Sequence, residues 1–535
     1  METKASDASD RSVLIVGGGA AGWLTACYLA THLGQERQGG PRITLLESPD
    51  IGIIGVGEGT FPTTRNILRT LGIEEAEFMR ESQAAFKQGI RFDDWEVTPR
   101  NDVHSHYFHP FEAPYLGKEE LELLPYWLIQ DPATRPPYAE AVTFQKRIAD
   151  ARLAPKRLYQ GHYSGPLNYA YHFDAARFAN VLARRAKALG VHHLQGLLGE
   201  VVLDDTGAIS HAISPDHGRL SADLYVDCTG FRSELLGKAL NVPFRPVSGT
   251  LFADRAVVCQ VSYPNANAPL ESYTIATAHE AGWTWDIGLA NRRGIGYVHS
   301  SHHTSESRAE EVLAAYVARS GGKTAAVEMR HISFDAGYRT QHWVKNCVAV
   351  GLSAGFLEPL ESTGMVLIEA AVNKIAEFFP HSGPIDASAG LFNDLMVKRY
   401  DAIINFIKLH YCLSKREEPF WRDNTAAESI PERLRMLLDI WQHRPPSRYD
   451  FVIDHETFAH FNYQYILYGM NFHTDYQAAG RALPMKDKAE QIFSRIHSFG
   501  EQAAKDLSAH RATIKAIYDN GFVERAPSPA PALAR

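Results

Sequence analysis

The stretch Ser12-Val-Leu-Ile-Val16-Gly17-Gly-Gly-Ala-Ala-Gly22 decides the fold class of this chain. Its apolar first half predicts a buried β-strand, and its glycines match the G-x-G-x-x-G pattern of dinucleotide-binding turns. Glycine permits a tight turn and a close approach of the pyrophosphate, whose charge is stabilised by the N-terminus of the following helix. We therefore expect a dinucleotide to contact Gly17, Gly19, Ala20, Ala21 and Gly22.

Two further features support a nucleotide fold. A second predicted strand, Ile43 to Leu46, ends in Glu47, where such folds place the partner of a ribose hydroxyl. The loop from Gly52 to Gly59 is too rich in glycine for a packed core, and it includes Gly55, Val56 and Gly57. We expect it to pass beside a planar cofactor, and a plain surface loop is the alternative.

A third glycine-rich segment, Gly351 to Gly364, follows a strand-like run at Val348 to Val350 and precedes a predicted helix, Met365 to Phe379. The first N–H groups of a helix lack partners and attract anions. Two acids, Glu358 and Glu361, lie beside this predicted anion site. Taken alone, the segment is equally compatible with a simple connection carrying solvated acids.

The region between these segments mixes helices and strands. Phe61 to Phe92 is predicted to be mostly helical, with Lys87 near its end. Loops and short helices are expected from Asn101 to Gly165. The spacing of His104, His106 and His109 fits no helical face and lacks a completing Cys or acid, so no metal site is predicted.

Later segments have clearer periodicity. Asp174 is predicted to cap an amphipathic helix, and His193 to Ile213 a hairpin. Antiparallel strands are expected from Ala256 to Ser301, where alternation directs Trp283 and Trp285 to one face. Beyond residue 395 the predicted helices are Leu395 to Leu413, Ile430 to His443 and Met485 to Asp519.

Composition excludes several classes of protein. The chain has 535 residues, a formal net charge of −8 and five widely spaced cysteines. This charge offers no basic surface for nucleic acid, and no apolar run is long enough for a membrane span. The first residues lack the apolar core of a signal peptide, and the cysteines suggest neither disulfides nor a zinc site. We expect a cytoplasmic protein that binds neither nucleic acid nor membrane.

Three motifs together are more specific than any one: the dinucleotide fingerprint, the Trp283-x-Trp285-x-Ile287 strand and the Glu358-Pro-Leu-Glu-Ser-Thr-Gly364 turn. This combination resembles the FAD-dependent tryptophan halogenase family over residues 12 to 475. The resemblance implies an α/β fold, with a Rossmann-like FAD-binding domain similar to aromatic hydroxylases, an antiparallel substrate sheet and a C-terminal helical region. The implied division is an FAD-binding module at 12–400, interleaved with substrate-domain sheet at about 100–170 and 240–340, a helical covering region at 401–520 and a disordered tail at 525–535.

The resemblance also implies roles for particular residues. Reduced FAD, oxygen and chloride or bromide yield hypohalous acid, which Lys87 and Glu361 direct onto an arene. Halide binds the N–H groups of Thr363 and Gly364, and Gly351 and Leu352 contact the flavin. The pocket beside the indole is lined by His109, Phe111, Glu456 and Phe461. Trp283, Trp285 and Ser362 separate this pocket from the flavin. A separate NAD(P)H-dependent flavin reductase supplies FADH2, and a homodimer is compatible with the family.

This chain departs from the family pattern at two places. The last residue of the W-x-W-x-I-P motif is Gly288 instead of proline. This variant of the motif resembles that of halogenases that accept free indole and simple aromatic compounds. Tyr449 to Phe461 contains Glu456 and Phe461 but lacks the adjacent Tyr pair and the Trp that grip free tryptophan. Indole, another simple arene and tryptophan therefore all remain candidate substrates.

Two other functions are compatible with the fingerprint. One is a flavin-dependent aromatic hydroxylase. Those enzymes resemble one another in having a Gly-Asp-Ala turn, whereas this chain has Gly351-Leu-Ser-Ala354 without the Asp. A catalytically silent flavin-binding protein would have no need to keep Lys87, Glu361 and the Ser-Thr-Gly turn together. Halogenation is the prediction, and the other two are its alternatives.

Overall fold

The computed structural model describes residues 11–34, 40–50, 52, 57–101, 103–118, 120–322 and 328–522. The predicted cofactor contacts Gly55 and Val56 lie outside the described residues, as does the tail at 525–535 that was predicted to be disordered.

Strands and helices alternate in the first half of the chain, and helices dominate its end. The strands are β1 Ser12–Val16, β2 Arg42–Glu47, β3 Glu58–Gly59, β4 Ala85–Lys87, β5 Gly89–Asp93, β6 His106–Pro110, β7 Ala170–Phe173, β8 His192–Gln195, β9 Glu200–Leu203, β10 Ile209–Ser214, β11 Gly218–Leu220, β12 Leu224–Asp227, β13 Phe244–Pro246, β14 Arg255–Ser262, β15 Thr274–His279, β16 Gly282–Gly288, β17 Arg292–His299, β18 Arg330–Ser333, β19 Gly337–Arg339, β20 Trp343–Val344, β21 Cys347–Ala349 and β22 Gly355–Phe356. The α-helices are α1 Ala20–Leu33, α2 Thr63–Thr70, α3 Glu75–Glu81, α4 Leu124–Leu128, α5 Tyr138–Val142, α6 Gln145–Asp150, α7 Ala175–Ala188, α8 Glu306–Arg319, α9 Thr363–Phe378, α10 Ala389–Cys412, α11 Pro419–Thr425, α12 Glu432–Trp441, α13 His460–Gly469, α14 Gln477–Gly480, α15 Lys486–Asp506 and α16 His510–Asn520.

The nucleotide fold is a six-stranded sheet with the order β20-β21-β12-β1-β2-β8. All of its neighbours pair in parallel except β20 with β21. Helices cover both faces of such a sheet, so its central strands are continuously apolar, and Ile15 and Leu45 are fully buried. The fingerprint turn joins β1 to α1, and α1 packs on α7 and α9. The expected α/β fold is confirmed.

A second sheet has seven strands in the order β18-β14-β17-β16-β15-β5-β6. Its strands are antiparallel except for the β15–β5 pair. The expected antiparallel strands between residues 256 and 301 are therefore present. Strand β5 extends the sheet to Gly89, before the expected start near residue 100. The division of the chain into three regions remains a prediction.

The helix predicted from Phe61 to Phe92 is wrong in its second half. The chain forms α2 and α3 and then the strands β4 and β5, so Lys87 ends a strand. The partner of β4 is β7, in which Ala170 lies opposite Lys87. A pairing with a strand more than 80 residues away overrides local helix propensity, because β-structure depends on its neighbours.

The helix predicted from Met485 to Asp519 is interrupted. Helix α15 ends at Asp506, Leu507 turns to extended geometry, and α16 begins at His510. The short link forms a bridge between Ala509 and Leu153. This bridge brings the last helix back to the first half of the chain.

Candidate functional site

A cavity of about 570 Å³ lies at the carboxyl ends of the parallel strands, where doubly wound folds bind ligands. The predicted cofactor contacts Gly17, Gly19, Ala20, Ala21, Glu47, Gly351 and Leu352 line it. So do the predicted halide residues Thr363 and Gly364. The lining also includes Thr229, at the end of a strand beside which the sequence predicts a nucleotide, and residues not named individually as site residues: Glu58, Arg232, Phe356 and Leu357.

Different neighbouring atoms explain why glycine is needed at positions 17 and 22 of the fingerprint. Gly17 has φ +119°, and a Cβ there would lie 2.2 Å from the carbonyl oxygen of Cys228. A Cβ at Gly22 would lie 1.8 Å from the carbonyl oxygen of Gly17, so Gly22 serves the packing of the turn and does not line the cavity. Gly57 also faces protein, because a Cβ there would meet Ile287 and Leu289 at 2.9 Å.

Two glycines that line the cavity leave open space beside helix N-termini. A Cβ at Gly19 or at Gly364 would meet no described atom within 4 Å, so the open space at these positions is available to a ligand. Gly19 precedes α1, and Gly364 lies in the first turn of α9. Two helix N-termini therefore open onto one cavity, an arrangement suited to a pyrophosphate and a second anion.

Glu47 is held at the end of β2. Its Oε2 lies 2.9 Å from Nε2 of His193, and its Oε1 accepts a hydrogen bond from Nε1 of Trp23 at 3.5 Å. A Cβ on Gly18 would collide with this carboxylate at 2.2 Å. The acid thus lies against the fingerprint turn, in the position expected for a ribose partner.

The turn between β22 and α9 separates two environments. Leu357, Thr363 and Gly364 line the cavity. Between them, Glu361 and Ser362 have φ +63° and φ +55°. Two consecutive non-glycine residues in the left-handed region cost roughly 1–3 kcal/mol each, so the surrounding contacts must hold this turn in place.

The carboxylate of Glu361 lies between two imidazoles. Its Oε1 is 2.8 Å from Nδ1 of His109 and 3.3 Å from Nε2 of His410, and all three side chains are almost fully buried. Burial alone would raise the pKa of Glu361, but the two imidazoles outweigh it and lower the pKa to about 2. Within the described part of the chain, Oε2 of Glu361 has no hydrogen-bond partner. This acid is therefore ionised with one free oxygen.

His109 is bonded on both ring nitrogens. Its Nε2 lies 2.9 Å from Oδ1 of Asn462, whose Nδ2 donates to the carbonyl oxygen of Ala459. Both neighbours of the ring, Asn462 Oδ1 and Glu361 Oε1, can accept a hydrogen bond. The ring of His109 is therefore fixed between Glu361 and Asn462.

Lys87 approaches the same turn from β4. Its Nζ donates to Oγ of Ser362 at 2.9 Å and lies 5.3 Å from the centre of the Phe111 ring. The side chain is fully buried, and burial lowers its pKa to about 7, although the charge of Glu361 opposes this. The structure thus brings together Lys87, Ser362, Glu361, His109 and Phe111.

Glu358, the other acid of the turn, is held in a similar way. Its Oε1 accepts hydrogen bonds from the Tyr411 hydroxyl at 2.5 Å and from Nε1 of Trp283 at 3.3 Å. Burial raises its pKa to about 7, while these two hydrogen bonds and Lys408 oppose the rise. The consecutive helix residues His410 and Tyr411 therefore each face one acid of the turn.

The two tryptophans of β16 lie on one face, as expected, with their ring centres 6.3 Å apart. Trp283 is buried and also contacts Trp95. Trp285 covers Gly296 on the neighbouring strand, where a Cβ would lie 2.2 Å from its ring. Their expected function of separating substrate from flavin remains a prediction.

Other predicted pocket residues lie on the C-terminal region. Phe461 and Asn462 are adjacent in α13, so Phe461 is next to a partner of His109. Glu456 lies near the guanidinium groups of Arg433 and Arg399, and burial raises its pKa to about 7. Phe111 packs on Phe61, which in turn contacts Phe458. An aromatic wall therefore continues from Lys87 to the C-terminal region.

His104 and His106 have no part in this cluster. His104 bonds Asp94 at 2.8 Å, and His106 is exposed. Among the residues that the structure describes, no three His, Cys, Asp or Glu side chains converge as metal ligands.

Sequence reasoning missed His410, Tyr411 and Asn462. The first two lie in the apolar helix α10, where both are buried. Two adjacent hydrogen-bonding side chains in a buried helix segment are a usable signal, because buried polar groups need partners. Their partners, however, are 49 and 53 residues away in sequence, at Glu361 and Glu358.

No helix within the described ranges has both the length and the apolar character to span a membrane. Comparison with protein families matches the tryptophan halogenase model over residues 12–484. The chain is 36% identical over 477 residues to tryptophan 6-halogenase SttH of Streptomyces toxytricini, with 85% of this chain and 88% of the relative covered.

Solved structures agree with this match. The tryptophan halogenase of Shewanella frigidimarina is 38% identical, with a TM-score of 0.91 and coverage of 96% of this chain and 99% of that one. BrvH, a flavin-dependent halogenase from Brevundimonas sp. BAL3, is 31% identical, with a TM-score of 0.83 and coverage of 96% and 100%. The fold, the cavity and the turn that carries Glu361 thus occur in a chain that belongs to the tryptophan halogenase family, whose members are flavin-dependent halogenating enzymes.

Proposed function

We propose that this protein uses FADH2, oxygen and chloride or bromide to halogenate an electron-rich arene such as indole or the ring of tryptophan. The observation that carries the proposal is the position of the turn. Thr363 and Gly364 line the large cavity, whereas the adjoining Ser362 and Glu361 contact Lys87 and His109. One short segment thus connects a cofactor site to a buried Lys and Glu.

Bound FADH2 would supply the two electrons for reduction of oxygen, in the chemistry that oxidises halide to hypohalous acid. Gly17, Gly19, Ala20 and Ala21 would hold its pyrophosphate, with Glu47 at the ribose. The N–H groups of Thr363 and Gly364 would hold the halide, because an unpaired helix N-terminus stabilises an anion.

Lys87 and Glu361 would act on the arene side. With a pKa of about 7, Lys87 is available at neutral pH both as an ammonium donor to the oxygen of hypohalous acid and as an amine that accepts the halogen. The arene carbon forms a bond to the halogen and loses its proton. The free Oε2 of Glu361 can accept that proton. The proton then combines with the hydroxide released from hypohalous acid to form water, which restores the carboxylate. His109 contacts the other oxygen of that carboxylate, Oε1, and so fixes its orientation.

Confinement of the oxidant supports this assignment. Two ionisable groups buried together are costly unless they serve a function. Free hypohalous acid would also react unselectively, so a buried route protects the rest of the protein. Trp283, Trp285 and Ser362 are proposed to separate flavin from arene.

For the substrate, we propose a small aromatic compound that binds between His109, Phe111, Glu456 and Phe461. Two of the three relatives named above are tryptophan halogenases, which favours tryptophan. Gly288 and the missing Tyr pair favour indole or another simple arene. A separate NAD(P)H-dependent flavin reductase is the proposed source of FADH2, and a homodimer is compatible with the fold.

The test is a panel of arenes incubated with the protein, a flavin reductase, FAD, oxygen and each halide, followed by mass spectrometry. We expect a halogenated product of an indole or of tryptophan. A hydroxylated product would assign a monooxygenase, and flavin oxidation without arene product would assign a silent flavin-binding protein. Oxidation of NADH by the purified protein without the reductase would contradict the need for a partner.

A further inference from the structure

The last helix, α16, lies beyond residue 484, where the match to the family ends. It nevertheless returns to the strand that carries Lys87. The link before it docks on the first half of the chain: Ala154 N donates to the carbonyl oxygen of Ser508 at 2.9 Å, and His510 N donates to that of Arg152 at 2.8 Å. The start of α16 is therefore fixed in place.

Strand β4 needs partners on its outer side. It is the edge strand of the small sheet β3-β7-β4, so one row of its backbone groups has no neighbouring strand within the described residues. Side chains of α16 bond to this strand and to the residue before it. Phe86 N donates to Nε2 of His510 at 3.1 Å, and the Tyr518 hydroxyl donates to the carbonyl oxygen of Ala84 at 2.9 Å.

The position of the proton on the His510 ring follows from the contacts of its two nitrogens. Nδ1 lies 3.0 Å from the carbonyl oxygen of Leu270, which can only accept, so this nitrogen carries the proton. Nε2 is then an acceptor for Phe86 N–H. Burial, aided by Arg511, lowers the pKa of His510 to about 4, with the bond to Leu270 in opposition, so the ring stays neutral.

We propose that His510 is a positioning residue for Lys87: it fixes the edge strand one residue before Lys87, so that Nζ reaches Ser362 beside Glu361. The inference rests on the proposed function of Lys87. A buried N–H without an acceptor is strongly disfavoured, so loss of the imidazole would displace Phe86 and with it Lys87. Displacement of a reacting group by about 1 Å can lower a rate by about 10²-fold.

The test compares three variants. His510→Phe keeps a ring but removes the acceptor, whereas His510→Gln retains an acceptor and a donor. Ile514→Ala truncates a buried residue of the same helix and leaves the bonds to Phe86 and Ala84 in place. It therefore controls for general loss of stability.

We expect His510→Phe to lower arene turnover at least tenfold, while flavin oxidation and the KM for the arene change less than twofold. Hypohalous acid that escapes to a halogen-trapping dione should rise correspondingly. His510→Gln should recover most of the halogenated product per flavin oxidised, and Ile514→Ala should keep the wild-type ratio despite a lower Tm.

A second readout does not depend on activity. NMR of ¹³C-methylated lysines, assigned with Lys87→Met, should show the titration of Lys87 moving upward from about 7 in His510→Phe but not in Ile514→Ala. The proposal is overturned if His510→Phe matches Ile514→Ala in both the product ratio and the Lys87 titration. Absence of arene halogenation in the wild type would instead refute the proposed function, and the titration would still decide the role of His510.

Discussion

The ammonium of Lys87 donates a hydrogen bond to the hydroxyl of Ser362 at 2.9 Å, although the two residues are 275 positions apart. Ser362 has a left-handed backbone and directly precedes the helix whose first residues line the large cavity. This bond therefore places the buried lysine between the proposed cofactor side of the turn and the aromatic pocket.

Replacement of Lys87 should separate oxidant formation from its use. Lys87→Met has a similar length but can neither donate nor accept at its end. We expect arene halogenation to fall by roughly 10²–10⁴-fold, while flavin oxidation continues at the wild-type rate. Product analysis and flavin absorbance measure the two steps, with Lys398→Met, an exposed helix lysine, as the control. Loss of flavin binding in Lys87→Met would make the lysine structural.

The same variant should change stability in a pH-dependent way. Burial lowers the pKa of Lys87 from 10.5 to about 7, so between these values the unfolded chain binds more protons. Stability of the wild type therefore rises with pH in that window, by about 1.4 kcal/mol for each unit of pKa shift. We expect Lys87→Met to raise the Tm at pH 7 and to lose this advantage by pH 10.5. An equal Tm difference at both pH values would contradict the depressed pKa.

Removal of the charge at Glu361 should slow the chemical step without disturbing the turn. Glu361→Gln keeps an oxygen for the bond from His109 but cannot accept a proton. We expect the rate of arene halogenation to fall by roughly 10²–10³-fold, with flavin oxidation unchanged. Glu377→Gln, at an exposed position of α9, the helix that follows the turn, is the control. An unchanged turnover number in Glu361→Gln would remove this residue from the mechanism.

Glu358 should oppose folding at alkaline pH. Its folded pKa of about 7 exceeds its ordinary value of 4.5, so the stability it contributes is complete below 4.5 and is lost as pH rises through 7. Glu358→Gln keeps an acceptor for Tyr411 and Trp283 but does not titrate. We expect the variant to have a higher Tm than the wild type at pH 8.5 and a similar Tm at pH 5.

Glu358→Ala is the contrast to that substitution. It leaves a buried hydroxyl and a buried indole N–H unpaired, at a cost of roughly 1–3 kcal/mol for each group. Its Tm should be lower than that of the wild type at both pH values. If Glu358→Gln behaved in the same way, the carboxyl would be ionised and stabilising in the folded protein.

The glycine that replaces the proline of the family motif is closely packed by the ends of two side chains. A Cβ at Gly288 would lie 2.5 Å from Cδ1 of Leu270 and 2.9 Å from the Tyr263 hydroxyl. We expect Gly288→Ala to destabilise the fold by roughly 1–3 kcal/mol through overpacking. In a double-mutant cycle, Leu270→Ala should relieve most of that cost. Gly249→Ala, where a Cβ would meet no atom of the described residues within 4 Å, should be neutral. Additive effects of Gly288→Ala and Leu270→Ala would refute the clash.

Local sequence patterns were sufficient to predict much of the nucleotide fold. The strand, glycine-rich turn and helix around the fingerprint, the strand that ends at Glu47, and the strand, turn and helix around Glu361 are all present, although α1 and α9 begin two or three residues earlier than predicted. Each depends on short-range physics: apolar runs form strands, and glycines allow backbones to approach closely. The failure at Lys87 has the opposite origin, because its strand exists only through pairing with β7.

The sequence by itself therefore determined the fold class, the family resemblance and the residue types available for the proposed chemistry. Only the tertiary structure decided how those residues are held. It placed Lys87 on an edge strand, directed its ammonium to Ser362, set His109 and His410 around Glu361, and brought His510 back to Phe86. These contacts join positions far apart in the chain. Burial lowers the pKa of Lys87 and of His510, whereas the two imidazoles outweigh burial and lower the pKa of Glu361. No local pattern specifies such contacts, because they depend on how separate elements pack against one another.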